Sequence, residues 1–350
     1  MYLSHLFSIS LLSFTLLLST CKTIVQSEQE SSETEDVITS TEESIEGSLP
    51  GKPYFGFNSK SNLKPNQQIA LADAFFKSLP PDVRSNLVIR LPGGTLSQKV
   101  YSSDFPDDIM MKWTKLQKDY GIRLIYVVNG NDTPNNQKHL IERWMSHGAQ
   151  FDFIEMMNEY YLPKFVQGKT EKAEVTRPIT PELYVNEILP EFFETLDGFG
   201  LPYFVICAPN KEGKPGQRMK EWNDVMVEAL TGKFANRDLG IVIHLYKKTL
   251  TGPYDYAQIN ELRNRISPNT KVAITEMGIL DESATQSTIG GPIKSHYTKI
   301  FRELGEGDYL FDQVLYNNYK GSTMATLHPS ANGLTKKGEK VVELLKEVYP

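Results

Sequence analysis

The sequence predicts an α/β fold, a single (β/α)8 (TIM) barrel over residues 51–350. Eight short apolar segments, rich in β-branched and aromatic residues, alternate with eight segments of helical periodicity at the spacing of a β/α unit. The strand segments are apolar on both faces, as a parallel sheet covered by helices requires. The alternative, a doubly wound open sheet, lacks a phosphate turn after its first strand, because PGGT at 92–95 does not match G-x-G-x-x-G.

Each predicted element is a run of one periodicity bounded by turn residues. The predicted strands cover 54–58, 86–91, 122–128, 151–157, 202–208, 239–246, 271–276 and 312–318. The predicted helices cover 67–78, 107–119, 137–145, 181–195, 219–230, 256–265, 292–303 and 335–348. All three tryptophans fall within helical patterns, so we expect them to pack beneath the outer helices.

The first 21 residues have the pattern of an export signal. Residues 6–18 form an apolar run of thirteen, too short for a comfortable membrane span. The run ends in Leu-Ser-Thr-Cys at 18–21, which resembles the lipobox of bacterial lipoproteins, where the cysteine is acylated. The resemblance implies a lipid anchor at Cys21 and a cell-surface or periplasmic location; ordinary secretion and a retained anchor are the alternatives.

Residues 22–50 differ in composition from the predicted barrel. They contain eight acidic residues among Ser and Thr, and Lys22 is their one basic residue. Such a segment buries too little apolar surface to fold, so we expect a disordered acidic tether. The chain carries a net charge of −6 and this segment accounts for −7 of it, which leaves +1 for residues 51–350. A nearly neutral domain lacks the basic field that nucleic-acid binding needs.

Cysteine usage excludes a disulfide within the predicted domain. The chain has two cysteines, and Cys21 belongs to the signal. Cys207 therefore stands alone, and its apolar neighbours predict a small buried hydrophobic residue.

Function in a barrel of this kind lies at the carboxyl ends of the strands. The predicted fourth strand, FDFIEMM, runs directly into Asn158-Glu159, and the predicted seventh ends in Glu276. Two acids at strand ends, on strands 4 and 7, predict a pair of carboxylates across the barrel mouth. The other polar residues at or near predicted strand ends are Asn58, Arg90, Asn129, His244, Tyr246 and Tyr316.

This arrangement resembles clan A of the glycoside hydrolases, the retaining (β/α)8 glycosidases. The matching residues are Asn158-Glu159, Glu276 and His244-x-Tyr246. The resemblance implies that Glu159 is the acid/base and Glu276 the nucleophile in the hydrolysis of O-glycosidic bonds.

Four further residues receive roles from the same resemblance. Arg90 and Tyr246 would hydrogen-bond Glu276 and keep it ionised, while Asn158 would hold the sugar 2-hydroxyl. His244 is a further substrate-binding candidate. The eighth strand departs from the common pattern, because Tyr316 or Asn318 stands where a tryptophan platform is usual.

The chemistry explains why two carboxyl groups are needed. Retention requires one carboxylate to attack the anomeric carbon and one protonated carboxyl to protonate the leaving oxygen. The environments must therefore separate the two pKa values. We expect the apolar neighbours of Glu159 to favour its neutral form.

Each candidate also has an ordinary structural interpretation. Glu159 could be a loop acid, Glu276 a helix cap, Arg90 the partner of a structural acid, His244 a core histidine, and Tyr246 a rim aromatic. Asn58 and Asn129 could bind sugar hydroxyls or cap loops.

Other chemistries find less support. The six histidines include no H-x-H on a strand and no H-E-x-x-H, so no metal and no cofactor is predicted. No G-x-S-x-G is present. The predicted partner is a carbohydrate substrate. Lysines that follow strand ends suggest an acidic glycan, or are solvated surface residues: Lys164, Lys247, Lys248 and Lys320. The alternative function is a surface barrel that binds glycans without cleaving them.

Overall fold

A computed structural model describes residues 52–59, 65–99, 105–162, 166–167, 177–210, 213–250, 256–281, 283–312, 314–316, 325–328 and 333–350. The predicted signal and tether, with Cys21, lie outside these residues, as do Lys164 and Lys320.

Eight parallel strands close into a barrel, which confirms the predicted fold. The order around the sheet is β1-β8-β7-β6-β5-β4-β3-β2, with β1 pairing both β2 and β8. The strands are β1 (Tyr54–Asn58), β2 (Leu87–Leu91), β3 (Arg123–Val127), β4 (Phe151–Met156), β5 (Tyr203–Ile206), β6 (Leu239–Lys247), β7 (Val272–Ile279) and β8 (Tyr309–Asp312).

Among the described residues, eight main helices alternate with the strands. They are α1 (Pro65–Ser78), α2 (Asp107–Tyr120), α3 (Pro134–Ser146), α4 (Leu189–Leu196), α5 (Gly213–Thr231), α6 (Ala257–Ile266), α7 (Gly290–Glu303) and α8 (Lys336–Val348). Short helical turns cover Pro81–Arg84, Gly94–Lys99, Pro181–Leu183, Tyr184–Ile188 and Asp197–Phe199. Local chemistry sets several bounds: Thr133 and Thr335 cap α3 and α8 by accepting backbone N–H groups, and α2 ends at the left-handed Gly121.

The predicted eighth strand, 312–318, was wrong. The barrel strand ends at Asp312, and Val314–Tyr316 joins Ala325–His328 and Gly333–Leu334 in a separate three-stranded sheet. Asp312 resembles a strand boundary in the sequence, but it is fully buried and bonded to the buried Lys337. Tyr316 therefore does not end a barrel strand, and its contact with sugar stays a prediction.

Aromatic rings fill the barrel beneath its carboxyl end. Phe153 of β4 stacks on Phe204 of β5 at 4.0 Å and meets Tyr309 of β8 edge-on at 4.9 Å. Contacts between β4 and β8, which are not neighbours, must cross the interior. Gly240 makes room for this layer, since a Cβ there would lie 2.4 Å from the Phe204 ring. The interior is therefore packed, and the functional face is the mouth above it.

Two predictions about packing are confirmed. Trp113, Trp144 and Trp222 lie in α2, α3 and α5 with their side chains buried, and Cys207 is fully buried.

In the part of the chain that the structure describes, no helix combines the length and apolarity that crossing a membrane would require.

Candidate active site

The carboxyl ends of β2, β4, β6 and β7 bring charged side chains together. Arg90 comes from β2, Glu155 from β4, His244 from β6 and Glu276 from β7, and Glu159 follows β4 by three residues. The sequence predicted that the strand-4 and strand-7 acids would face each other, and the structure places them in one cluster. Their catalytic roles stay a prediction.

Arg90 is the centre of the cluster. Its side chain is fully buried and donates to Glu155, both through Nε at 2.7 Å and through Nη2 at 2.5 Å. Nη1 donates to Glu276 at 2.9 Å and to Asn58 Oδ1 at 2.7 Å, and Nη2 also donates to Asn158 Oδ1 at 2.9 Å. Burial alone would lower the pKa of Arg90, but the charges of Glu155 and Glu276 outweigh it and raise that pKa. One fixed cation thus binds groups from β1, β4 and β7.

The sequence interpretation missed Glu155. Its side chain is fully buried, and it accepts from Thr275 at 3.3 Å as well as from Arg90. The two interpretations of Arg90, as the partner of a structural acid and as the partner of Glu276, both hold in the structure. The sequence did contain a signal, because Arg90 and Glu155 are opposite charges flanked by apolar residues in two strands, and buried charges need partners.

Glu276 is held as a carboxylate. One oxygen accepts from Arg90, and the other accepts from the Tyr246 hydroxyl. Burial alone would raise the pKa of Glu276, but the charges of His244 and Arg90, with hydrogen bonds from Tyr246 and Arg90, lower it to about 2. Burial, then the Glu276 charge, raises the pKa of Tyr246 well above its usual value, so this hydroxyl remains a donor.

Glu159 lies on a strained turn that directs its side chain into the mouth. Met157 and Glu159 both have left-handed backbones, with φ of 65° and 52°, a conformation that costs non-glycine residues free energy. The Glu159 side chain is 15% exposed, and Tyr161 donates to it at 3.3 Å. Tyr160 is fully buried, and its hydroxyl donates to Asn131 at 3.2 Å.

His244 lies between the two acids. Its Nδ1 is 3.4 Å from Glu159 Oε1 and 3.8 Å from Glu276 Oε2. Its Nε2 lies 3.1 Å from Thr275 Oγ1, whose own proton is donated to Glu155, so we assign the Nε2 proton to the bond with Thr275. Burial would lower the pKa of His244, but the Glu276 charge and the hydrogen bond and charge of Glu159 raise it. The Nδ1 atom thus faces an oxygen of each acid.

The two acids are close. Glu159, His244 and Glu276 each offer one potential ligand atom, and these three atoms lie within 4.8 Å of one another. This set of one nitrogen and two oxygens is of the kind that transition metals use. Arg90 and Tyr246 already bind both oxygens of Glu276, however, and a metal there would have to compete with them.

The three predicted asparagines differ in how their side chains are used. Asn158 is fully buried and accepts from Arg90, while its Nδ2 has no hydrogen-bond partner among the described residues. Asn58 donates to the Thr275 and Asp312 carbonyls at 2.8 and 3.2 Å, and it accepts from Arg90. Asn129 is fully buried and accepts from the backbone of Asn131 at 2.9 Å. Of the three, Asn158 is the one whose side-chain donor is buried with no partner among the described residues.

The cluster contains more carboxyl groups than basic groups. Those of Glu155, Glu159 and Glu276 lie around the guanidinium of Arg90 and the imidazole of His244. The Glu276 carboxylate in such a pocket favours a ligand that develops positive charge beside it.

The comparisons with known proteins identify neither a family nor an activity for the chain. No protein-family model matches the chain. No curated protein sequence matches it either. Among solved structures, it is similar to SrfJ from Salmonella typhimurium, with 13% identity, 87% of this chain and 76% of that chain covered, and a TM-score of 0.49. A xyloglucanase from Paenibacillus polymyxa, solved with xyloglucan, has 9% identity, coverage of 75% and 72%, and a TM-score of 0.49. Orotidine 5'-phosphate decarboxylase from Pyrococcus horikoshii OT3 has 10% identity, coverage of 84% and 97%, and a TM-score of 0.38.

Proposed function

We propose that this chain is a retaining glycoside hydrolase acting on O-glycosidic bonds of a poly- or oligosaccharide. The observation that carries the proposal is the meeting of Glu159 and Glu276 at the barrel mouth, where one carboxyl oxygen of each lies within 4.8 Å of the other. Retention needs two carboxyl groups close enough for one to attack the anomeric carbon while the other protonates the leaving oxygen.

Glu276 is the proposed nucleophile. Arg90 and Tyr246 hold its two oxygens, and its pKa of about 2 keeps it ionised at any pH at which the domain would work. Its carboxylate attacks the anomeric carbon as the glycosidic C–O bond breaks, which gives a covalent glycosyl-enzyme.

Glu159 is the proposed acid/base. It donates its proton to the departing oxygen in the first step, and it takes a proton from the incoming water in the second. His244 lies close to both acids. The loss of the Glu276 charge on glycosylation would therefore change the electrostatic environment of His244. The carboxylate of Glu276 would also stabilise the oxocarbenium-like transition state of each step.

The remaining residues position substrate or the acids. The Asn158 Nδ2, buried and with no partner among the described residues, is placed to donate to the sugar 2-hydroxyl. Asn58 positions Arg90 by accepting one hydrogen bond from its guanidinium. Asn129 and Tyr316 remain proposed substrate contacts without further support.

The test is turnover on a panel of polysaccharides and aryl glycosides by the full chain, Glu159→Gln and Glu276→Gln. We expect both variants to lose about 10³-fold or more in kcat, in the range that removal of a catalytic group costs. Azide should rescue Glu276→Ala with inversion at the anomeric carbon, seen by NMR. Full turnover in either single variant would contradict the role of that residue.

The competing function is glycan binding without cleavage. It predicts saturable binding of an oligosaccharide by the wild-type chain with no product at any pH. It also predicts that Glu276→Gln binds as the wild type does, since no covalent step exists.

Two finer proposals concern location and substrate charge. A lipid anchor at Cys21 would place the enzyme at the cell surface or in the periplasm, and labelling with a radioactive fatty acid tests it, with Cys21→Ser as control. Lys247 and Lys248 at the end of β6 would favour a glycan carrying uronate or sulfate. Turnover of neutral glycans alone would contradict the second proposal.

A further inference from the structure

The turn after β4 must be held in an unfavourable conformation. Met157 and Glu159 are both left-handed and neither is glycine, so the isolated segment would prefer another backbone. Protein groups outside the turn must supply the compensating contacts.

Two of these contacts hold the ends of the turn. The Tyr184 hydroxyl donates to the Met156 carbonyl at 2.6 Å, and Arg218 Nε donates to the Tyr161 carbonyl at 2.7 Å. Neither one reaches the two peptide groups between the left-handed residues Met157 and Glu159.

Gln98 holds the centre. It lies in the helical turn Gly94–Lys99 that follows β2, it is 4% exposed, and its Nε2 donates to the Asn158 carbonyl. Asn131 Nδ2 in turn donates to the Gln98 carbonyl at 3.1 Å, which ties this turn to the loop after β3. The carbonyl that Gln98 binds belongs to the peptide joining Asn158 to Glu159.

The orientation of that peptide sets the direction of the Glu159 side chain. Rotation of the peptide would release the left-handed φ at Glu159 and turn the carboxyl away from His244 and Glu276. Loss of the Gln98 amide would leave a buried carbonyl without this donor, which favours such a rotation.

We propose that Gln98 is a positioning residue for the acid/base, acting through the peptide between Asn158 and Glu159. The inference rests on the proposed function. It adds a residue on the β2 loop that no strand-end pattern indicates.

The experiment compares Gln98→Met with Gln68→Met. Gln68 is a matched control, because it is 8% exposed and its Nε2 also donates to a backbone carbonyl at a strand end, that of Ser59 after β1. Each full-length variant is assayed for kcat/KM on aryl glycosides with good and poor leaving groups. Only a poor leaving group needs a proton from the acid.

We expect Gln98→Met to lose about 100-fold on poor leaving groups and less than about 3-fold on activated ones, as misplacement of a catalytic group by about 1 Å produces. Gln68→Met should lose equally little on both. An equal loss on both leaving groups in Gln98→Met would overturn the inference while leaving the proposed function intact.

Crystal structures of the two variants give a result that does not depend on activity. We expect the φ of Glu159 to leave the left-handed region, or its carboxyl to move by more than about 1 Å, in Gln98→Met only. An unchanged turn in that variant overturns the inference. Absence of hydrolysis by the wild-type chain counts against the proposed function, and the structures then decide the role of Gln98 alone.

Discussion

Replacing Arg90 by methionine tests two roles of this residue, one in the stability of the barrel and one in the arrangement of the active site. Methionine has a similar length and no charge, so the substitution removes five hydrogen bonds with little change in volume. Glu155 would then remain fully buried as an acid without its cation.

The magnitude follows from burial. Both side chains of the Arg90–Glu155 pair are 0% exposed, and removal of one partner of such a pair costs about 3–5 kcal/mol. For a domain of this size that corresponds to a fall of roughly 6–10 °C in Tm. The double variant Arg90→Met with Glu155→Leu replaces the pair by apolar groups, so it should recover about half or more of that loss. Activity should not return, because Glu276 still lacks its guanidinium.

Differential scanning calorimetry and turnover on the best glycoside provide the two measurements. Arg123→Met is the control, since Arg123 pairs with Asp152 but is 38% exposed, and it should cost about 1 kcal/mol or less without loss of turnover. A Tm in Arg90→Met within about 2 °C of wild type would refute the energetic reasoning. Recovery of turnover in the double variant would refute the role of Arg90 at Glu276.

Three further predictions concern stability at acid pH, the steric room beside Gly130, and the ion pair between the C-terminal helix and the barrel. Because the folded pKa of Glu276 is about 2, below its ordinary 4.5, its carboxylate stabilises the fold above pH 4.5, and this contribution is lost as the pH falls towards 2. Urea unfolding should therefore show the wild type losing on the order of 3 kcal/mol more than Glu276→Gln between pH 5 and 2, and equal losses would contradict it. Gly130→Ala would place a Cβ 2.5 Å from the Tyr160 hydroxyl, so unfolding should show a cost of about 1–3 kcal/mol and turnover should fall, whereas Gly291→Ala, with open space around it, should change neither. Lys337→Met removes the cation from a buried ion pair with β8, so Tm should fall by an amount equivalent to about 3 kcal/mol while KM stays unchanged; an unaltered Tm would argue against this.

Much of the site could be predicted because, in a barrel, the strand on which a residue lies determines its place around the mouth. Once β4 and β7 are recognised as strands, Glu159 and Glu276 must meet at one end, whatever the intervening loops do. Arg90 and Tyr246 follow by the same rule from β2 and β6. These predictions needed only the periodicity of strands and the identity of the residue at each end.

The rest depended on contacts that have no local signal. Glu155 lies between the apolar residues Ile154 and Met156 of its strand, and its partner Arg90 lies on another strand. Asp312 looked like a strand boundary because its partner Lys337 lies in a helix further along the chain. Gln98 belongs to a helical turn, and nothing in its neighbours indicates which carbonyl its amide will bind. Such residues are identified by their long-range partners, which only the folded chain brings near.

Arg90 of β2 binds groups from β1, β4 and β7, so the cluster depends on both halves of the barrel. The first four β/α units contain Arg90, Glu155 and Glu159, whereas His244, Tyr246 and Glu276 all belong to the last four. A half-barrel made of the second set would expose an acid without its guanidinium. Neither half alone contains the whole cluster, so under the proposed function fragments produced separately should show turnover only when mixed and reassembled.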